Sequence, residues 1–336
     1  MKKVGFAVVG IGNIGKRHLA VLEKEKHAEI VALCDKDKHI AEEYGRKYNV
    51  PYFFSYQKML KKIDCDVVNI CTPHYLHAPM TIAASNAKKH ILVEKPMALT
   101  SRDCQRMIAA ANKNNVKLMV VKQNRYNVPI ALAKKVLEQG KLGKIFMVEV
   151  NVFWNRNDAY YSSSPWRGRK QMEGGSLYTQ VSHFIDLLIW FFGDIKKAKT
   201  VIDTKNHDIT IEDCGSSIVT FTRGVLGVIN WTTCVYRTNY EGSITIIGEN
   251  GTIKIGGQYL NTIDYWDVAS FPLPKDIQYN DRPNTYGQYQ GSSSNHDKVM
   301  NDVIVAISGK KSTVVDGSEG LKTVRAIELM YRNTKH

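Results

Sequence analysis

The residues of this chain whose types and spacing suit chemistry fall into three groups. The first is Gly10-Ile11-Gly12-Asn13-Ile14-Gly15, which follows an apolar run at 4–9 and opens a stretch of helical periodicity. Glycines at this spacing allow a tight turn, close approach of backbone to a pyrophosphate, and close packing of helix on strand. The open N–H groups and dipole of the helix start then attract the phosphates, so Gly10, Gly12, Asn13 and Ile14 are expected to touch a dinucleotide. A glycine-rich turn without a ligand has the same local pattern. Asp35 weighs against that alternative, because it stands twenty residues beyond Gly15 at the end of the next apolar run. A carboxylate there bonds both ribose hydroxyls and repels a 2′-phosphate, which favours NAD over NADP. Lys36 beside it softens the preference.

The second group lies at the ends of two further apolar runs. Thr72 and Pro73, in Cys71-Thr72-Pro73-His74, are expected to line the cofactor, and His77 is counted with them. On residue type alone, His74 and His77 read equally well as surface histidines. Glu94-Lys95-Pro96 follows the run at 91–93, and Glu94 and Lys95 are expected on the same ligand-bearing edge. An ammonium beside a reacting carbinol steadies developing alkoxide charge. The third group is Gly174-Gly175-Ser176 with Thr179, Gln180, His183 and Asp186, along a helical run at 176–192. Thr179 and His183 are four apart and so share a helix face. An imidazole titrates near neutrality and can take a hydroxyl proton, although a hydrogen-bonded core histidine fits the pattern too.

The elements that must hold these groups follow from periodicity. Apolar runs at 4–9, 30–34, 67–71, 91–94 and 118–121, with a weaker one near Tyr52, alternate with helical stretches at 16–25, 39–48, 56–61, 79–87 and 101–114. Thr100 or Ser101 is the N-cap expected for the last of these. Strands apolar throughout and separated by helices predict a parallel sheet covered on both faces. Beyond about residue 125 the texture changes. A helix at 129–139 ends at Gly140, and two-residue alternation marks antiparallel strands at 145–153, 216–221, 225–233, 243–247 and 252–255. Helices at 296–308 and 317–332 close the chain. The expectation is a doubly wound α/β dinucleotide-binding domain over 1–124 and an α+β domain over 125–336 built on a mostly antiparallel sheet.

Composition narrows the function classes. Lys and Arg number 46 against 32 Asp and Glu, for a formal charge of +14, but the cations are scattered rather than blocked, so no nucleic-acid partner is expected. The longest strongly apolar stretch, 184–192, is interrupted by Asp186 and is far short of a bilayer span, so no membrane partner is expected either. Six cysteines make no CxxC pair, which predicts no zinc site or other metal, and fits reduced thiols in the cytoplasm.

Taken together, GIGNIG at 10–15, Asp35, EKP at 94–96 and GGSLYTQVSHFIDLLIWFFG at 174–193 resemble the Gfo/Idh/MocA family of NAD(P)-dependent sugar dehydrogenases over essentially the whole length. The resemblance implies an N-terminal Rossmann domain joined to a C-terminal α+β domain whose mostly antiparallel open sheet builds a homo-oligomer, dimer or tetramer, with Lys95 and His183 flanking the substrate. Many members carry Asp four residues before that His, where this chain has Thr179. The departure argues against a free polyol substrate. The stretches at 122–130, 150–161, 164–177 and 179–188 resemble the branch of bacterial UDP-N-acetylglucosaminuronate 3-dehydrogenases of lipopolysaccharide sugar synthesis. That resemblance implies a nucleotide-sugar substrate, oxidised at its C3 hydroxyl. Lys95, Gln180 and His183 would surround the sugar with Thr179 beside them, and Gln123, Trp166 and Arg167 would contact the cofactor. Asn124, Arg125, Tyr126, Asn155, Arg156 and Tyr160 would hold diphosphate, carboxylate or sugar hydroxyls, since Arg pairs bidentately with such anions. The polar run 169–173 departs from the branch, and 286–299 reads as a binding loop or a capped helix start. The rivals are another sugar or inositol dehydrogenase of the family and a non-catalytic NAD-binding sensor.

Overall fold

The computed structural model describes residues 3–279, 283–285 and 290–335. Its first stretch runs β1 (Val4–Val9), α1 (Asn13–Leu22), β2 (Ala28–Cys34), α2 (Lys38–Tyr48), β3 (Tyr52–Phe53), α3 (Tyr56–Lys62), β4 (Val67–Ile70), α4 (His77–Asn86), β5 (His90–Val93), α5 (Ser101–Lys113) and β6 (Leu118–Val120). Then come α6 (Val128–Glu138), β7 (Ile145–Phe153), α7 (Asp158–Ser162), α8 (Lys170–Glu173), α9 (Ser182–Phe192), β8 (Ile195–Asp203), β9 (Cys214–Phe221), β10 (Leu226–Thr232), β11 (Glu241–Gly248), β12 (Gly251–Gly256) and β13 (Thr262–Val268). The chain closes with β14 (Pro283–Thr285), β15 (Gln290–Ser293), α10 (His296–Ile307), β16 (Val315–Asp316), α11 (Gly317–Arg332) and β17 (Thr334–Lys335). It divides into two compact units, one of residues 1–122 and 296–324, the other of 123–295 and 325–336.

In the first unit the strand order is β16-β6-β5-β4-β1-β2-β3, parallel throughout except where β16 meets β6. Every residue of β1 and β4 is buried, as strands covered on both faces require. The strand order reverses between β4 and β1, and the crevice at the carboxyl ends there is where ligands of such sheets bind. Thr100 caps α5 by accepting from Asp103 N–H, and Asp37 caps α2 by accepting from His39 and Ile40 N–H. The unit is not contiguous, in contrast to the single break expected at 124/125: α10 returns to pack on α1, and β16 extends the sheet edge. Helical periodicity does not say which sheet a helix will cover, and a two-residue strand has no periodicity to read.

The second unit carries an eight-stranded sheet of order β13-β12-β11-β7-β10-β9-β8-β17. Its neighbours are antiparallel apart from β7–β10 and β8–β17. Buried and exposed residues alternate along β8, as in a sheet with one face in the core and one open. The helix expected as one piece over 176–192 is instead a π-helical turn, Leu177–Val181, running into α9. Apolar spacing cannot distinguish one widened turn from ordinary α-helix, and such turns gather at functional sites. All six cysteines are thiols. Among the described residues no helix is long and apolar enough to cross a membrane.

Candidate active site

The dinucleotide edge is built from the ends of β1 and β2. Gly12 is the N-cap of α1 without a side-chain cap bond, so the first-turn N–H groups lack that partner. A Cβ placed on Gly12 meets nothing within 4 Å, whereas one on Gly15 would stand 2.0 Å from the Gly10 carbonyl. Open space at one glycine and backbone contact at the other are what a pyrophosphate cradle and close helix packing require. Asn13 and Ile14 open α1. Asp35 Oδ2 accepts Ile11 N–H at 2.6 Å and its Oδ1 accepts Asp37 N–H at 2.9 Å, which fixes the carboxylate against the glycine turn. These residues fit a dinucleotide.

Thr72 and Pro73 follow β4, and Lys95 follows β5 by two residues. His74 and His77 are both buried, so the surface alternative does not hold. The His77 ring lies between two carbonyls, with Nδ1 2.7 Å from Pro96 O and Nε2 2.8 Å from Thr72 O, and so ties the turn after β4 to the turn after β5. Burial pulls its pKa down, against the two carbonyls. Glu94 is buried, with Oε2 accepting Lys95 N–H at 3.1 Å and Oε1 paired with His18 Nε2 at 2.9 Å. His18 and His296 did not emerge from the sequence reading. One signal for His18 was its place one helical turn after Gly15, on the face that also buries Leu19 and Leu22.

In the second unit, Gly174 and Gly175 precede the π turn. Gly175 has φ +139°, and a Cβ on it would stand 2.0 Å from the Tyr331 hydroxyl. Glu212 Oε1 closes the start of the turn by accepting from Ser176 N–H at 2.9 Å, Ser176 Oγ–H and Tyr331 O–H. Thr179 Oγ1 donates to Glu173 Oε1 at 2.8 Å, and burial raises the pKa of both Glu173 and Glu212. His183 is buried in the first turn of α9.

The structure gathers several expected substrate contacts into one buried network. Arg156, 1% exposed, donates to Gln180 Oε1 at 2.8 Å, and Gln180 Nε2 donates to the Tyr160 hydroxyl at 3.0 Å. The Arg167 guanidinium stacks 4.1 Å from the centre of the Tyr160 ring and 5.7 Å from that of Trp166. Gln123, Asn124, Arg125 and Tyr126 share one short 3₁₀ turn before α6. Asn124 is buried and neither atom of its amide has a hydrogen-bond partner among the described residues. Two of the expected contacts also have partners within the chain. Arg125 spends its fork on Asp186, at 2.8 and 2.9 Å, so its charge is already answered. Asn155 is committed to backbone, its Nδ2 donating to Val235 O and its N–H to the Asn239 side chain. The loop read at 286–299 falls partly outside the described residues. Asn295 donates to Asn127 Oδ1 at 2.7 Å, and α10 opens with His296.

Comparison with known proteins follows this geometry. An oxidoreductase-family model, NAD-binding Rossmann fold, matches residues 4–122, and the model of its C-terminal α/β domain matches 134–336. The WlbA dehydrogenase from Chromobacterium violaceum, crystallised with NADH and UDP-GlcNAcA, is 36% identical, with a TM-score of 0.91 over 99% of this chain and 94% of that one. The WlbA dehydrogenase from Bordetella pertussis, with the same ligands, is 34% identical, with a TM-score of 0.89 over 99% of this chain and 96% of that one. Inositol 2-dehydrogenase of Salmonella typhimurium is 28% identical over 255 residues, 74% of this chain and 72% of that protein. With its glycine turn, Asp35 and two matching family models, the chain belongs to the Gfo/Idh/MocA oxidoreductases and binds NAD through its Rossmann domain.

Proposed function

We propose that the protein oxidises the C3 hydroxyl of a UDP-linked N-acetylglucosaminuronic acid to the 3-keto sugar. The observation that carries this reading is the likeness, at 34–36% identity across 99% of the chain, to two dehydrogenases that hold UDP-GlcNAcA. The buried Asn124 amide, with donor and acceptor both unanswered, and the Arg156–Gln180–Tyr160 network support it as groups suited to sugar hydroxyls. NAD, when bound, accepts the hydride that leaves C3. His183 takes the hydroxyl proton as the carbonyl forms, Lys95 steadies the charge on that oxygen, and Thr179 and Gln180 orient the ring. Trp166 and Arg167 are assigned cofactor contacts in this reading. On the second sheet, Phe146, Val201, Ile218 and Tyr265 are each about half exposed on strand faces, which suits pairing with a second copy.

The deciding experiment follows absorbance of the reduced nicotinamide after UDP-N-acetylglucosaminuronate is added, with free N-acetylglucosamine and myo-inositol as controls. Reduction by the UDP-uronate alone supports the reading, and reduction by inositol alone replaces it. His183→Asn and Lys95→Met should each lower turnover about 10²–10⁴-fold while leaving NAD affinity near wild type. Asn124→Ala should raise KM for the sugar by about 2–10-fold with kcat preserved, the effect of one neutral hydrogen bond.

A further inference from the structure

Glu94 is the meeting point of three distant stretches of the first unit. Its Oε1 lies 2.9 Å from His18 Nε2 on α1 and 3.8 Å from His296 Nε2 at the start of α10, while Oε2 accepts the Lys95 N–H at 3.1 Å. His18 is fully buried, and its other ring nitrogen is 3.2 Å from Asn69 Oδ1, which accepts from it when the ring is charged, and 3.4 Å from Cys71 Sγ. A chain of contacts therefore runs from β4 through the dinucleotide-binding helix to the backbone of Lys95. Of the two histidines, His18 stands nearer this carboxylate, at 2.9 Å against 3.8 Å. Burial and the neighbouring His18 push His296 down to about 3, and its Nδ1 has no hydrogen bond among the described residues. Burial lowers the His18 pKa, but contact with Cys71 and Glu94 raises it overall, so His18 is the histidine suited to be the cation of the pair.

We propose that His18 and Glu94 are positioning residues for Lys95: their ion pair fixes the carboxylate that accepts the Lys95 N–H, and so sets where the Lys95 ammonium stands at the end of β5. The proposal rests on the role given to Lys95 above. A buried carboxylate left without its cation takes a proton and loses the charge that holds this geometry. The dinucleotide helix supplies the cation, so the contact chain joins the cofactor turn to the residue that acts on the hydroxyl.

The test uses the full chain with NAD bound and reads Lys95 directly, by NMR of the reductively ¹³C-methylated protein, its signal assigned by loss in Lys95→Arg. In Glu94→Gln the Lys95 titration should move to lower pH, because the ammonium loses a nearby anion, and His18→Gln should move it the same way. Turnover of the UDP-uronate should fall about 10²-fold, the cost of a misplaced group, with sugar KM and NAD affinity within about threefold. Asn69→Ala keeps both members of the pair but releases the His18 ring. It should give a smaller shift of the same sign, and it carries the test if the other variants do not fold. A Lys95 titration unmoved in folded Glu94→Gln overturns the proposal. So does a stoichiometric metal ion retained by the purified protein, which would make the His18, Glu94 and His296 atoms a coordination site. If the substrate reading is wrong, only the turnover arm falls silent, because the NMR arm needs no sugar.

Discussion

Glu94 in the first unit and Glu173 in the second are both buried glutamates next to a residue given a role in the chemistry, and their carboxyl pKa values are shifted in opposite directions. For Glu94, burial raises the pKa, but the His18 contact outweighs it and holds the group down at about 2. Glu173 accepts from the Thr179 hydroxyl and the Gly168 N–H, and burial leaves its pKa raised, with Glu212 adding to the rise. The difference shows that burial alone drives a carboxyl toward its neutral form, and that a cation in direct contact decides whether it stays charged. One glutamate is built as an anion that anchors Lys95. The other is built toward a neutral acid that packs beneath the turn before His183.

The largest effect should come from breaking the charged member. Removing the cation of a buried pair leaves the carboxylate unpaired or driven to bind a proton, so His18→Gln is expected to lower stability by about 3–5 kcal/mol, read by urea unfolding. The pH dependence follows from the two shifts. Glu94 is depressed, so its contribution is present above its ordinary pKa of 4.5 and is lost as pH falls toward about 2. For His18, burial lowers the pKa, but Cys71 and Glu94 contacts raise it to about 10; the contribution is whole below 6.5 and is lost as pH rises toward that value. Wild-type stability should hence decline at both ends; in His18→Gln the decline that belongs to the imidazole goes, and the carboxyl left without its cation instead loses stability as pH rises above 4.5. A variant no less stable than wild type at pH 6 would mean that the pair does not carry charge.

Glu173→Gln should act with the opposite sign. A carboxyl whose folded pKa is raised favours the folded state at low pH and penalises it above the unfolded pKa, so the amide removes a penalty. The melting temperature of Glu173→Gln is expected to exceed wild type at pH 8, with the gain shrinking as pH falls through the carboxylate range. A loss of stability at pH 8 would place Glu173 beside Glu94 as a charged anchor and end the contrast.

What could be read from the sequence divides along the same line. The glycine turn at Gly10 to Gly15 and Asp35 were legible because each follows an apolar run directly, and the ends of parallel strands are where ligands bind. The alternation at 145–153 likewise marked the sheet of the second unit. Contacts made by side chains far apart in sequence were not legible. His18 and Glu94 are 76 residues apart, so nothing local marked His18 as the partner of the EKP glutamate. Arg125 read as an anion binder because Asp186, 61 residues on, gave no sign of claiming its fork. Glu173 was visible only as an unexpectedly polar position, and its partner Thr179 as a residue sharing a helix face with His183 and as a departure from Asp, with nothing to join the two. The π turn that brings these two together leaves no mark in hydrophobic spacing.

The smallest expected effect tests whether that departure and Glu173 belong together. Thr179→Val keeps the β-branched shape but removes the hydroxyl that donates to Glu173 at 2.8 Å and stands 3.3 Å from Gly175 O. At low pH, where Glu173 is protonated, its own O–H can turn to another acceptor, and the loss should be near the bottom of the range for a neutral hydrogen bond, about 0.5 kcal/mol. At pH 8 the hydroxyl is one of the donors answering the ionised form, so the cost should rise toward about 1.5 kcal/mol. Combined with Glu173→Gln, the pH dependence of the Thr179→Val cost should disappear, because the amide has no proton to lose. A cost that is the same at both pH values in the wild-type background would show that Glu173 does not ionise in this range. The neutral member of the comparison would then be a neutral acid throughout, and the departure at 179 would be a packing choice alone.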